Sequence, residues 1–385
     1  MRQTAMVVVL AAALAAGCAP DRNALMEGPK ATPAPAAGRW QIEAIPGTPG
    51  GCVGKCGLAV DGSSGVHVAY GQGSSLHYTI LAGGHWTNEL VEAGSVLECH
   101  RTGFAPDIAL DRDGRPVITY GCRGVVSGTW VRTARKTGDG KWDLKTLSTK
   151  GNLGRYTAVA VDNVSGVHAA YLDYKNQDDL YYAVSNGEGW DITAVDVEPN
   201  AGFFCDLALD AGAHPHIVYA TVEGNYRGVD FTSNRYVVDD LKYATYDGVR
   251  WHTDTIDAYG NVGYWPSIRV DGRGVAQVSY AGEQQVKYAA HLDGAWAIQV
   301  VDQGDDIGAY TSLALDAAGR PWIAYNRGRT LRVAHWTGSE WEHEVVDNST
   351  SVGWHCAMEI DRAGTVHIVY DDWHQGGLRY ARLAR

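Results

Sequence analysis

Tyr310–Asp347 reads YTSLALDAAGRPWIAYNRGRTLRVAHWTGSEWEHEVVD, four short apolar runs parted by turn residues. The first run, SLALD, places Leu313 and Leu315 at alternate positions and ends on Asp316. A turn, AAGR, leads to PWIAY, which ends on Tyr325, and after the LRVA run a glycine turn introduces the fourth at Trp341. Period-two alternation broken by Gly and Asp turns is the pattern of an antiparallel meander.

The unit recurs along the chain. Its aspartates are Asp61, Asp111, Asp162, Asp210, Asp271, Asp316 and Asp361, and its tyrosines are Tyr70, Tyr120, Tyr171, Tyr219, Tyr280, Tyr325 and Tyr370. Both series step by 50, 51, 48, 61, 45 and 45 residues. The third run returns as Leu180–Ala183, Leu241–Ala244, Val286–Ala289 and Leu378–Ala381, and the fourth begins at Trp86, Trp142, Trp190, Trp251, Trp296 and Trp341. Seven such units, labelled strands a to d, predict an all-β fold: a seven-bladed β-propeller of four-stranded antiparallel blades. The ends explain each other. The seventh unit stops after its third strand, at Leu378–Arg385, whereas Trp40–Ile45 reads as a fourth strand with no a to c before it. The N-terminal strand is therefore expected to complete the last blade and close the ring.

Composition agrees. The 385 residues include 47 Gly, 21 Tyr and 13 Trp but only 4 Phe and 4 Met, which suits short strands and tight turns. A net charge of −12 argues against nucleic acid or anionic lipid headgroups as partners. At the N-terminus, Arg2 precedes an apolar stretch, Met6–Ala16, too short to span a bilayer, and Leu14-Ala-Ala-Gly-Cys18 follows. This resembles a bacterial lipoprotein signal, which implies cleavage before Cys18 and its lipidation. The expected organisation is a signal peptide over 1–17, lipidated Cys18 with a Pro/Ala-rich tether over 18–37, and the propeller over 38–385. Such a chain is exported to the bacterial cell envelope and held at a membrane through its anchor; a monomer is expected.

The repeat resembles those of bacterial seven-bladed propellers and, more distantly, the BNR/Asp-box proteins that include sialidases. Asp139-Gly-Lys-Trp142 and Asp293-Gly-Ala-Trp296 keep part of the Asp-box turn. The arginine triad and the tyrosine–glutamate pair of sialidases find no matching positions, so the resemblance implies architecture and not that activity.

Antiparallel order places the b–c and d–a loops on one face, the top, where binding groups are expected. The d–a loops carry aromatics six or seven residues before each aspartate: Phe104, Tyr156, Phe203, Phe204, Tyr264, Trp265, Tyr310 and Trp354. Such side chains either ring the channel mouth, suited to stacking on sugars, or pack between blades. Candidate ligand-binding residues are Tyr264, Trp265, Tyr310, Trp354, His355, Asp371, Trp373, Asp173 and Tyr226. His67, His168, His216 and His367 share one strand-b position, which Val117, Gln277 and Trp322 fill elsewhere, so they read as scaffold. His355 and His374 lie outside the repeat and, with Asp371, Asp372, Arg227 and Arg123, are the candidates for acid–base work should the protein be an enzyme. Arg269 and Glu359 replace the usual alanine two residues before the aspartate and are positioned to pair across the channel. No metal site and no cofactor are expected, a structural cation in the channel or on the top face aside.

Six cysteines besides Cys18 would occupy an oxidising compartment. Cys99 with Cys122 is a plausible bridge within blade 2. Cys56 and Cys356 share a repeat position in ring-neighbouring blades, so a bridge between them, or through Cys52, would lock the closing seam; Cys205 has no evident partner. The functional expectation is a surface-anchored propeller that binds a glycan, peptide or protein through its top face without catalysis. The alternatives are a glycoside hydrolase or polysaccharide lyase acting outside the cell, and a structural envelope component.

Overall fold

The computed structural model describes residues 40–50, 52, 55–94, 101–123, 129–148, 153–173, 179–222 and 238–384. These form seven four-stranded antiparallel sheets and no helix. Each of the first six sheets runs a to d in chain order. The seventh joins Val352–Ile360, Val366–Asp372 and Gly377–Leu383 to Gln41–Ala44, so the ring closes as the sequence predicts. The closing register is Gln41↔Arg382 through Ala44↔Arg379, extended by the Ile45 amide to the Leu378 carbonyl at 2.8 Å.

Burial grades outward from the channel. Strand b of blade 7, VHIVYDD, is buried at every position, whereas strand d of blade 6, WEHEVVD, is mostly solvated until its last two residues. Inner strands are covered on both faces by neighbouring blades and therefore read as near-continuous apolar runs; outer strands have one face in water. Apolar clusters sit at the joints. One packs Leu331 and Val333 of blade 6 against Met358 and Ile368 of blade 7. Another packs Cys56 and Val68 of blade 1 against Val369 and Tyr380 across the closing seam.

The repeated residues hold turns and joints together. In every blade the anchor aspartate accepts, through Oδ1, the backbone N–H groups two and four residues on, as Asp316 does from Ala318 and Arg320. The strand-b tyrosines are at most 1% exposed. The hydroxyls of Tyr120, Tyr219, Tyr280, Tyr325 and Tyr370 donate to a carboxylate at the end of strand d in the preceding blade, as Tyr325 does to Asp302 (2.7 Å) and Tyr370 to Asp347 (2.7 Å); at the closing seam the Tyr70 hydroxyl has no partner among the described residues. On the rim, indole N–H groups donate to the preceding strand d: Trp86 to Glu43 (2.8 Å) and Trp40 to Glu344 (3.0 Å) bracket the seam.

The four strand-b histidines have the same structural place. Each presents Nδ1 to a strand-c tyrosine hydroxyl, His67 to Tyr78 at 2.7 Å and His367 to Tyr380 at 2.7 Å. Nε2 faces the anchor aspartate, at 3.1 Å for His67–Asp61. Where the histidine is missing, an arginine from the turn takes that carboxylate: Arg115, Arg273 or Arg320.

Candidate functional site

In blades 2 to 7 strand a enters through a bulge that decides which side chains reach the channel. Blades 2, 4, 5 and 7 share a Gly-aromatic-x entry: Gly103-Phe-Ala, Gly202-Phe-Phe, Gly263-Tyr-Trp and Gly353-Trp-His. Gly353 has φ +87°, and a Cβ there would lie 2.9 Å from the Leu331 Cα, so only glycine lets strand a press so closely on the preceding blade. Two residues on, Ala105, Phe204, Trp265 and His355 all have positive φ, between 40° and 54°. Positive φ is costly for bulky side chains and persists where the surroundings enforce it. The bulge turns this residue, six before the anchor aspartate, to the channel. Its predecessor is left against the neighbouring blade: Phe203 is fully buried, and Tyr264 and Trp354 are half-buried.

The residues at this position in all seven blades line one cavity of about 420 Å³: Lys55, Ala105, Tyr156, Phe204, Trp265, Tyr310 and His355. Five are rings on consecutive blades, in contact one after another: Tyr156–Phe204 4.7 Å, Phe204–Trp265 4.8 Å, Trp265–Tyr310 4.9 Å and Tyr310–His355 4.5 Å between centroids. The arc covers blades 3 to 7. Blades 1 and 2 complete the circle with Lys55 and Ala105.

Deeper in the channel lie five charges on five blades. Lys55 Nζ stands 3.5 Å from Asp107 and 3.8 Å from Asp206. Arg269 reaches Glu359 at 2.6 Å, the pairing the sequence suggested, and Asp206 at 3.8 Å. Asp107 and Asp206 also serve the scaffold, accepting the strand-a amides of Val159 (2.9 Å) and Ile268 (3.0 Å) in the next blade. Between 10 and 30% of each of the five side chains meets solvent, so the cluster lines a wet channel and not a dry core. Burial lowers the Lys55 pKa, but Asp107 and Asp206 outweigh it and hold the ammonium above its ordinary value. Burial raises the carboxyls of Asp107 and Glu359 against the pull of their cations.

At the rim, His355 Nδ1 is 2.6 Å from Asp371 Oδ2, while Asp371 Oδ1 accepts the Cys52 amide at 2.7 Å. His355 is 8% exposed and lines the cavity, and among the described residues its Nε2 has no partner. Beside it Trp354 stacks on Trp373, with centroids 5.3 Å apart and planes at 25°. Trp373 is 61% exposed, and its indole N–H points to Asp371 at 3.4 Å.

Several expected site residues sit on strands or away from the cavity. Asp371 and Asp372 belong to strand b, which runs two residues past Tyr370, and both are buried. Asp372 is committed to Arg379 at 2.6 Å and to the amides of His374 and Gln375, so it is a loop support and not a free acid. His374 is exposed beyond it, and Arg123 is exposed at the end of a blade 2 strand, away from the cavity wall. Asp173 is buried at the end of strand b in blade 3. Tyr226, Arg227, Cys99 and Cys18 lie outside the described residues. Lys55, Asp107 and Asp206 were missed; the available signal was a carboxylate four residues before the anchor, in two units only.

The cysteine pairing across the seam is corrected. Cys52 bonds Cys56 (Cα–Cα 5.9 Å), and Cys356 is a buried free thiol, as is Cys205. The bond joins cysteines four residues apart in one blade, so no disulfide between Cys56 and Cys356 crosses the seam, which strand pairing and apolar packing close. Burial pushes both free thiols up to about 12, which leaves them unreactive at neutral pH. Cys122 is disulfide-bonded; Cys99, the partner expected for it, is outside the described residues. The Cys52 and Cys56 sulfurs lie near Asp371, but as a disulfide they are not thiolate ligands for a metal.

This fold and channel define the class: an all-β seven-bladed propeller with a site at one mouth of its axis. No protein-family model matches the chain, and no curated protein matches it. Among solved structures it is similar to the BP39L lectin of Burkholderia pseudomallei, with 13% identity, a TM-score of 0.63 and coverage of 86% of this chain and 96% of that one. It is also similar to a polysaccharide lyase, the PL25 ulvan lyase bound to -[GlcA(1-4)Rha3S]-, with 12% identity, a TM-score of 0.61 and coverage of 89% and 94%. A third is the Hadza microbial sialidase Hz136, with 11% identity, a TM-score of 0.50 and coverage of 84% and 74%. At these identities the likeness establishes the fold alone.

Proposed function

We propose that the protein is an exported, lipid-anchored propeller that binds a glycan through its top face, without catalysing a reaction on it. The observation that carries this reading is the Trp354–Trp373 stack beside the channel mouth, with Trp373 61% exposed. A tryptophan left in water at the start of the turn after strand b and oriented by a second indole presents a flat apolar face to the C–H face of a sugar ring. The arc of Trp265 and Tyr310 continues that surface into the cavity. A lectin and a saccharide-bound lyase share the scaffold, which supports a saccharide over a peptide. Trp373→Ala is expected to weaken binding to long polysaccharides at least tenfold in affinity electrophoresis, with the melting temperature unchanged. Binding at full strength in Trp354→Ala and Trp373→Ala would remove the rim from the reading.

The anchor rests on the Leu14–Cys18 motif. Cys18→Ser is expected to move the protein from the membrane pellet to the soluble fraction on ultracentrifugation; a variant that still pellets argues for a different mode of retention.

One observation favours a second reading. A carboxylate orienting an imidazole whose other nitrogen is unpartnered among the described residues, beside Tyr310, is the arrangement of a general base. Release of reducing ends or unsaturated uronates by the protein, lost in His355→Ala, would make it a polysaccharide hydrolase or lyase and replace the binding-only reading.

A further inference from the structure

Resting on the glycan-binding reading above, we propose that the channel mouth is a cup for the terminal residue of a neutral glycan, entered end-on, with the sugar stacked on the aromatic arc and its hydroxyls shared between Lys55, Asp107 and Asp206.

End-on entry follows from the charged floor. Blades 1 and 4 stand on opposite sides of a seven-membered ring, so Lys55 leaning to within 3.8 Å of Asp206 spans the channel. Arg269 and Glu359 make a second crossing from blade 5 to blade 7. A chain cannot thread past both, and only a terminus fits above them. The cavity of about 420 Å³ falls in the roughly 300–1,000 Å³ range of small-molecule pockets.

Hydroxyl recognition follows from what the floor leaves unmade. Charge-assisted N–H···O bonds close to roughly 2.7–2.9 Å. Lys55 stands at 3.5 and 3.8 Å from its two carboxylates and makes no direct hydrogen bond among the described residues. It neutralises them at a distance and keeps its donors open towards the cavity. Asp107 and Asp206 spend their Oδ2 atoms on backbone amides and turn Oδ1 to the lysine. A hydroxyl both accepts and donates, so a vicinal diol can accept from Lys55 and donate to both Oδ1 atoms at once. His355, nine-tenths buried on the wall with Nε2 unpartnered among the described residues, offers one further polar contact.

Charge selects the terminus. In the floor two cations face three carboxylates, so a uronate or sulfate would bring a further negative charge to a site already short of positive charge. A neutral pyranose adds none. Among the described residues the arc is interrupted at blade 2, where Ala105 occupies the ring position that an aromatic side chain fills in blades 3 to 6.

Two variants test the cup without touching the rim. Lys55→Met removes the donors, but it also strips the counter-charge from Asp107 and Asp206 and can cost folding. Ala105→Trp leaves the floor intact and fills the gap in the arc. Its backbone is already suited, since Ala105 has φ 40° and Trp265, at the equivalent position, has φ 41°. The probe is an array of mono- to trisaccharides attached through their reducing ends, with neutral or glucuronate non-reducing termini, read with the full chain. The expected result is capture of neutral termini, reduced at least tenfold in both variants, while long polysaccharide still binds at the rim. Short saccharides bound equally well by the unaltered chain and both variants overturn the cup and leave the glycan-binding reading in place. So does an unaltered chain that binds long polysaccharide but no short saccharide. Preference for glucuronate termini overturns the charge argument and the proposal with it. An unaltered chain that binds no saccharide of any length overturns the underlying reading as well.

Discussion

His67, His168, His216 and His367 occupy one strand-b position and make the same pair of contacts, to a strand-c tyrosine and to the anchor aspartate. Burial holds all four below the ordinary imidazole range, against the pull of the aspartate. A depressed folded pKa means the unfolded chain takes up protons first. The contribution of these residues is therefore complete above the unfolded value near 6.5 and is lost as pH falls from there through the folded pKa. The slope is at most about 1.4 kcal/mol per pH unit for each histidine. Blade 5 supplies the control: Gln277 Oε1 accepts from the Tyr288 hydroxyl at 2.7 Å with no titrating group. Replacing the four histidines with Gln is expected to flatten stability between pH 7 and 5, measured by urea unfolding at each pH. An unchanged slope would place the sensitivity elsewhere. Carboxylates such as Asp61, held at about 2, lose their contribution in a lower window, as pH falls below about 4.

At the scale of elements, the strand Gln41–Ala44 and the bulged entries of strand a decide most. The first is short and exposed along its length, yet it covers the edge of Gly377–Leu383. An uncovered edge strand offers its backbone to other chains. Deleting residues 40–45 also removes the side chain of Ile45, which is 3% exposed in the folded protein and whose burial is worth roughly 1.5–3 kcal/mol. The expected outcome is a melting temperature lowered by roughly 5–10 °C, from several kcal/mol at about 2 °C each, with association on size-exclusion chromatography. A monomer melting at the original temperature would show that the ring does not depend on this strand. The bulges matter differently: they shift the in–out alternation by one residue at the mouth. The aromatics were legible as a group from their spacing to the aspartate. Which of two neighbours faces the channel was not, because that depends on positive φ at Phe204, Trp265 and His355.

For the whole molecule, legibility divides along the repeat. Features that recur seven times announce themselves by period: the Asp316 turn, the Tyr325 joint and the Trp341 strand are each what any blade needs, and their spacing carried the fold and the closure of the ring. Features that occur once have no period to betray them. Asp107 and Asp206 share a strand-a position in two units only, where the others carry Gly, Ala or Ser, and Lys55 looks like part of a loop. The same holds for disulfides: Cys56 and Cys356 share a repeat position, but pairing requires facing sulfurs, and Cys52 was the nearer partner. The sequence by itself determined the strands, their order and the strand that closes the ring, because these follow from local alternation and counting. Only the tertiary structure decided that Lys55, Asp107, Asp206, Arg269 and Glu359, spread over some 300 residues, share one floor beneath an aromatic arc. A closed ring brings the same position of every blade to one axis, and there long charged side chains reach across.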